Sequence, residues 1–393
     1  MSALSPTALK ADKRTYKRLE INLRRNRQQD HTALLDQAAS AFDYSACRDV
    51  PWNPERFSLL WGTPFWDQAS ASERVLLNQL YWVAYYADII SAEIATIYFN
   101  QTSAAALYGI DDFRLVCDTL DLESSQERAH INAFKTVGEA VEAELFGERV
   151  FTYSMRGPFA ETVIFTDTNQ LREKAKRMLL RTFGVLSAQN AFVGCQYFLI
   201  RGLRTLLGKI VQHQLSTFHA EQADPEQSPI PSQISFFHFQ DESFHFNSST
   251  IISHDVVKCL PPPSRLEAWV MNETVKGAQK DLRPFSVVGD GLNWHGPRTL
   301  GVVHKVLTSQ VFGLSSREAV EMMRRCYGEE SDGLHQAAET HRTAIASYRK
   351  YLDGIDWLTE SNRQVTLAAD NDIPRVLAAN RRALDRFAAE VAT

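Results

Sequence analysis

Two Glu-x-x-His pairs stand in this sequence: Glu127 with His130 in "SSQERAHINAF", and Glu242 with His245 in "SFFHFQDESFHFNSS". On a helix each residue turns by about 100°, so residues three apart share a face and each pair sends a carboxylate and an imidazole the same way. His238, one turn before Glu242, joins that stripe, and Asp241 sits at its edge. Glu93 lies in "DIISAEIATIYF" with Ile89, Ile90, Thr96 and Ile97 three and four residues away, so it points into an apolar face. Glu93, Glu127, His130, His238, Glu242 and His245 are therefore candidate metal ligands. Two Glu-x-x-His helices together with single-Glu helices form the ligand recipe of the ferritin-like di-metal bundle.

The chemistry follows from what such groups cost when buried. An unpaired buried charge costs several kcal/mol, against a folding stability of about 5–15 kcal/mol. No Lys or Arg lies in 83–100 or 235–249 to neutralise these acids. A pair of divalent cations does so directly. Carboxylates with imidazoles and no thiolate suit two iron ions, with manganese less favoured. Four-coordinate zinc would leave ligands over. Glu127 and Glu242 are the expected bridges, and an iron pair with open positions can activate dioxygen. A metal-free helical binding protein is the alternative.

The elements that must position these residues are helices. Apolar residues recur at three- and four-residue spacing over 72–101, 105–119, 124–147, 169–218 and 234–252, and strand signals are sparse. Ser124 or Ser125 is the expected cap of the 124–147 helix. The 169–218 segment should break near Gly184 or Gly202. Further amphipathic helices are expected over 264–281, 315–327, 331–357 and 372–391. The fold class is all-α: a ferritin-like helical bundle with additional N- and C-terminal helices. The expected organisation is an N-terminal extension (1–50), a di-iron core (51–260) and a C-terminal helical region packed on it (261–393). "RPFSVVGDGLNWHGPRTLG" reads as a glycine-rich loop and matches no dinucleotide fingerprint.

Composition excludes several classes. The 393 residues carry a formal net charge of -5, which gives no footprint for nucleic acid. "KADKRTYKRLEINLRRNRQ" is basic, but acids and polar residues interrupt it, and it reads as a solvated N-terminal helix. Five scattered cysteines without a C-x-x-C fit a reducing cytoplasm. The most apolar long segment contains Asp88 and Glu93 and reads as a core helix, not a membrane span.

The order Glu93, Glu127-x-x-His130, His238-x-x-x-Glu242-x-x-His245 resembles the p-aminobenzoate N-oxygenase family of di-iron enzymes. The extra histidine before the last pair and the lead-in "SLLWGTPFWDQASASERVLLNQLYW" are its most telling features. The resemblance covers roughly residues 50–260. It implies a ferritin-like fold and a non-haem di-iron monooxygenase that converts an amine to a hydroxylamine, nitroso or nitro product. The amine would be an arylamine or an amino acid, free or presented by a carrier protein, and an external donor would supply electrons. C–H hydroxylation, desaturation or oxidative cleavage at the same site is the other oxidative reading. One departure stands out: the family places a glutamate on the third core helix, and residues 174–220 contain no Asp or Glu. Either an amide or water fills that position, with Gln189 and, one heptad later, Gln196 as the nearest candidates, or a carboxylate arrives from Asp241 or Glu161.

Overall fold

A computed structural model describes residues 8–151, 171–221, 227–282, 285 and 296–391. Glu161 lies outside them, as does most of the glycine-rich stretch. The described residues are all-α, with no strand among them. Sixteen helices run in order: α1 (Ala8–Ala11), α2 (Lys13–Gln28), α3 (Thr32–Ser40), α4 (Pro64–Gln68), α5 (Ala71–Tyr108), α6 (Arg114–Phe146), α7 (Leu171–Gln189), α8 (Ala191–Ala220), α9 (Ile230–His254), α10 (Arg265–Leu282), α11 (Leu300–Thr308), α12 (Ser316–Gly328), α13 (Asp332–Leu352), α14 (Glu360–Arg363), α15 (Thr366–Ala369) and α16 (Ile373–Val391).

The centre is a bundle of α5, α6, α8 and α9, in which α5 packs along α6 and α8 along α9. A capping box starts α5: Glu73 N–H donates to Ser70 Oγ at 3.3 Å, and Ser70 N–H donates to Glu73 Oε2 at 2.7 Å. From Leu77 to Ile90 nearly every side chain of α5 is buried, as expected of a helix apolar on all sides and surrounded by others. The periodicity suggested two helices over 105–147. Instead, α5 continues to Tyr108, a short turn over Asp111–Phe113 follows, and α6 runs unbroken to Gly147, where φ is +66°. Ser124 does not cap a helix. It lies in mid-helix and its hydroxyl donates to Leu120 O at 2.7 Å.

The break expected near Gly184 or Gly202 falls at Asn190, whose side chain accepts from Val193 N–H and starts α8. The two glycines serve close packing. A Cβ on Gly202 would lie 1.9 Å from Tyr351 Oη, and one on Gly184 would lie 2.5 Å from Tyr98 Oη. The C-terminal helices fall close to their expected ranges, and α11 begins at the end of the expected glycine-rich loop and runs through residues for which no element was expected. They meet the bundle where Tyr351 of α13 lies over Gly202 and where Tyr351 O accepts from His254 Nε2 at 2.8 Å.

An aromatic core flanks the upper part of α5. Its rings form a row: Tyr44 meets Trp52 at 6.0 Å between centroids, Trp52 meets Trp82 at 6.0 Å, and Trp82 meets Tyr86 at 4.4 Å. Tyr86 in turn meets His238 at 5.8 Å. Tyr44 is half-buried; Trp52, Trp82 and Tyr86 are buried. No helix among the described residues is long and apolar enough to cross a membrane.

Candidate metal centre

Helices α5, α6 and α9 bring all six candidate residues to one place. Glu93, His130, His238 and Glu242 each offer one ligand-type atom within 4.8 Å of the others, and so do Glu127, Glu242 and His245. Glu242 belongs to both groups. Its Oε1 lies 2.9 Å from His245 Nδ1, 3.7 Å from His238 Nε2 and 3.8 Å from His130 Nδ1. Glu127 also faces two ways, with Oε2 3.4 Å from His130 Nδ1 and Oε1 3.3 Å from His245 Nδ1. Glu93 Oε1 lies 3.2 Å from His238 Nε2. Five of the six are buried. Glu242 keeps 13% of its side chain exposed, so approach to the cluster is along its side.

The outer edges of two imidazoles are held. Asp241 Oδ2 lies 3.2 Å from His130 Nε2, and Gln126 Oε1 lies 2.9 Å from His245 Nε2. Both oxygens can only accept, so each Nε2 donates to its support and each Nδ1 is the nitrogen turned to the cluster. The supports are themselves supported. Gln126 Nε2 donates to Asn26 Oδ1 at 2.8 Å, and Asn26 Nδ2 donates to Gln126 Oε1 at 3.0 Å. Asp241 Oδ1 lies 2.9 Å from His31 Nδ1 and accepts from His31 N–H at 3.2 Å. Asp241 thus braces His130 from behind and does not replace the missing carboxylate.

Gln189 does not join the cluster. It is the last residue of α7 and is exposed, because the chain breaks at Asn190 directly after it. Gln196 is buried on α8, but its Nε2 donates to Ser253 O at 3.0 Å. What α8 does supply is Arg201, which sequence reasoning passed over. Its guanidinium donates to Glu123 Oε2 at 2.7 Å, Asn100 Oδ1 at 3.0 Å, Ser249 Oγ at 2.7 Å and His245 O at 2.9 Å. This buried ion pair lies one helical turn from Glu127 and fixes the backbone that carries His245. Its only sequence signal was an arginine in an apolar run.

Electrostatics sharpens the picture. Burial works against the charge on His130 and His245. Asp241, Glu127 and Glu93 around His130 outweigh it, as do Glu242 and Glu127 around His245, and both imidazoles are held well above 6.5. Burial would raise Glu127, yet His245 and His130 hold it far below 4.5. Asp241, which burial would raise, is held at about 2 by His130 and His31. Glu93 goes the other way: burial dominates and raises it. Both its oxygens and both ring nitrogens of His238 make no well-aligned hydrogen bond, although Glu93 Oε1 and His238 Nε2 lie 3.2 Å apart. Buried polar atoms are rarely left so, and those that are call for an ion or water.

The chain matches the model of a protein family described as acyl halogenase, CylC-like, over residues 14–179 and 159–388. No curated protein and no solved structure matches it. The match agrees with a helical enzyme of the non-haem iron type and does not single out N-oxygenation.

Proposed function

The chain belongs to the CylC-like acyl halogenase family, and on that footing we propose that it uses a pair of iron ions and dioxygen to replace a C–H hydrogen of an acyl substrate with a halogen. The residues fit such a pair. Glu93, His130, His238 and Glu242 would hold one ion, and Glu127, Glu242 and His245 the other, with Glu242 and Glu127 reaching both. The buried atoms of Glu93 and His238, which face one another without a well-aligned hydrogen bond, are the observation behind this fit. Iron suits the oxygen and nitrogen donors, and manganese is less favoured. The bound pair would supply the oxidising power to break a C–H bond by reducing dioxygen.

One observation carries halogenation in particular. Glu93, Glu127 and Glu242 leave two ferrous ions with about one net positive charge. No acid on α8 offsets it, and neither Gln189 nor Gln196 reaches the site. The contacts of Gln196 with Ser253 and of Arg201 with Ser248 set α8 antiparallel to α9. That register brings the buried Gly208 about level with Glu242. We read one halide into that missing charge, beside the hydrogen side chain of Gly208.

The protein's own part is orientation and exclusion of water. Asp241 and Gln126 lock the two imidazoles. Phe134 and Tyr86 stand edge-on to His238 and wall the site with apolar surface. The balance needs an outside reductant. One C–H bond and one halide ion become one C–X bond. Dioxygen takes two electrons from the substrate and two from an external donor, and leaves as two waters with three protons from solvent. The acyl group is offered free and on a carrier protein as separate arms of one assay. N-oxygenation is the second reading, favoured by His238 standing one turn before Glu242.

Metal analysis after anaerobic loading comes first, with about two irons per chain expected. Free and carrier-bound acyl substrates are then supplied with dioxygen, a reductant and chloride or bromide. Products with the halogen isotope pattern are expected. An oxygenated amine formed without halide would establish the second reading, and a chain that takes up no metal would return the protein to a helical binding role.

A further inference from the structure

We propose that the corner between α2 and α3 is the docking face for an acidic one-electron donor protein, whose electrons reach the metal centre through His31 and Asp241. This rests on the functional reading above, in which each turnover consumes two external electrons. The donor class is an acidic iron–sulfur protein. It is oxidised twice, one electron at a time, as the two metal ions are each reduced by one electron.

The first observation is charge. Residues 10–27 hold eight Lys and Arg against two acids, in a chain whose net charge is -5; of the eight, Lys10, Lys17 and Arg18 pair with Asp112, Glu20 and Asp255. Arg24, Arg25 and Arg27, in the last turns of α2, are exposed. A concentrated basic face on an acidic protein steers and orients an acidic partner.

The second observation is what lies beneath that face. The inner side of α2 is bolted to the helices of the metal centre. Asn22 Nδ2 donates to Phe244 O at 3.1 Å, and Asn26 exchanges hydrogen bonds with Gln126, which holds His245. Four residues after Arg27, His31 keeps 21% of its side chain exposed and stacks on Phe237 at 5.9 Å. His31 Nδ1 meets Asp241 Oδ1 at 2.9 Å, and Asp241 Oδ2 meets His130 Nε2 at 3.2 Å. Two hydrogen bonds therefore join a solvent-touching imidazole to one that faces the cluster. Acyl carrier proteins are also acidic, but a carrier must pass its substrate arm to the reacting atoms. This corner offers a hydrogen-bonded route, which suits an electron.

The probe is a plant-type [2Fe–2S] ferredoxin. It is titrated calorimetrically into the metal-free protein at about 0.05 and 0.5 M salt, which separates docking from any property of the metals. Binding at low salt, its loss at high salt, and at least about tenfold weakening in R24E/R25E/R27E with unchanged circular dichroism are expected. His31→Phe keeps the ring against Phe237 and removes the imidazole's hydrogen bond to Asp241, leaving the one from the backbone N–H. It should bind ferredoxin as the parent does, and its reduction is compared per iron bound because His31 also holds Asp241. It should slow ferredoxin-driven bleaching of the oxidised iron absorption about tenfold or more, and leave dithionite reduction at high salt unchanged. Parental binding by the triple variant, or parental ferredoxin reduction of His31→Phe, overturns the proposal. So does a triple variant impaired only toward carrier-bound acyl substrates, which would make this the carrier's face. Charge-dependent ferredoxin binding by a chain that takes up no iron would overturn the functional reading instead, and the electron route with it.

Discussion

His130 and His245 present the same ring nitrogen to the centre, but their far edges meet a carboxylate in one case and an amide in the other. Asp241 therefore makes His130 the stronger donor, and its removal should weaken the ion held through His130. Asp241→Asn is expected to lower that ion's affinity about 10–100-fold in a metal titration, with the second ion little changed. Glu242→Ala removes an oxygen shared by both groups, so it should cost the pair. Iron content near that of the parent protein would show that Glu242 is not shared. The six converging residues were legible in the sequence because i, i+3 and i+4 spacing on a helix is a short-range code. Their supports were not. His31 and Asn26 lie 210 and 100 residues from their partners Asp241 and Gln126, and no periodicity reports such a contact.

Helix α8 shows why an element can be found while its face is misjudged. The apolar pattern located the 169–218 helical segment well, but it could not see that Asn190 would cap a new helix. With one helix through that point, Gln189 and Gln196 share a face. With two, Gln189 turns to the surface. The same element carries the buried Arg201–Glu123 pair, whose guanidinium has partners on three other helices. Removing one member of a buried pair strands the other. Arg201→Met should therefore destabilise the protein by about 3–5 kcal/mol in urea unfolding. Combining it with Glu123→Met should recover part of that loss. A single variant within about 1 kcal/mol of the parent would mean that water had replaced the guanidinium.

For the whole molecule, the metal centre ties stability to pH. In the metal-free protein the raised His130 and His245 contribute stability that is complete below 6.5 and lost as pH climbs through their higher folded values. Glu93, raised by burial, adds a loss in the same direction from 4.5 upward. The lowered Glu127 and Asp241 work on the acid side: their contribution holds above 4.5 and 3.8 respectively and is lost as pH falls through their folded values. Bound metal ions need neutral imidazoles, so loading removes the alkaline loss. The melting temperature of the metal-free protein should fall as pH rises above 6.5, and the stabilisation by metal should grow over the same range. A metal-free melting temperature that rises there would contradict this charge pattern. The row of rings from His238 through Tyr86, Trp82 and Trp52 to the half-buried Tyr44 has a different consequence. Tyrosine and tryptophan surrender an electron only to a very strong oxidant, so under the proposed function the row would lie idle in productive turnover and act as a lightning rod when no substrate intercepts the oxidant. Idle cycling with dioxygen and reductant should scar Tyr44 and Trp52, at the far end of the row, as oxidised peptides in mass spectrometry. Trp52→Phe should interrupt the discharge, move the damage inward to Trp82 and Tyr86, and shorten the working life of the catalyst.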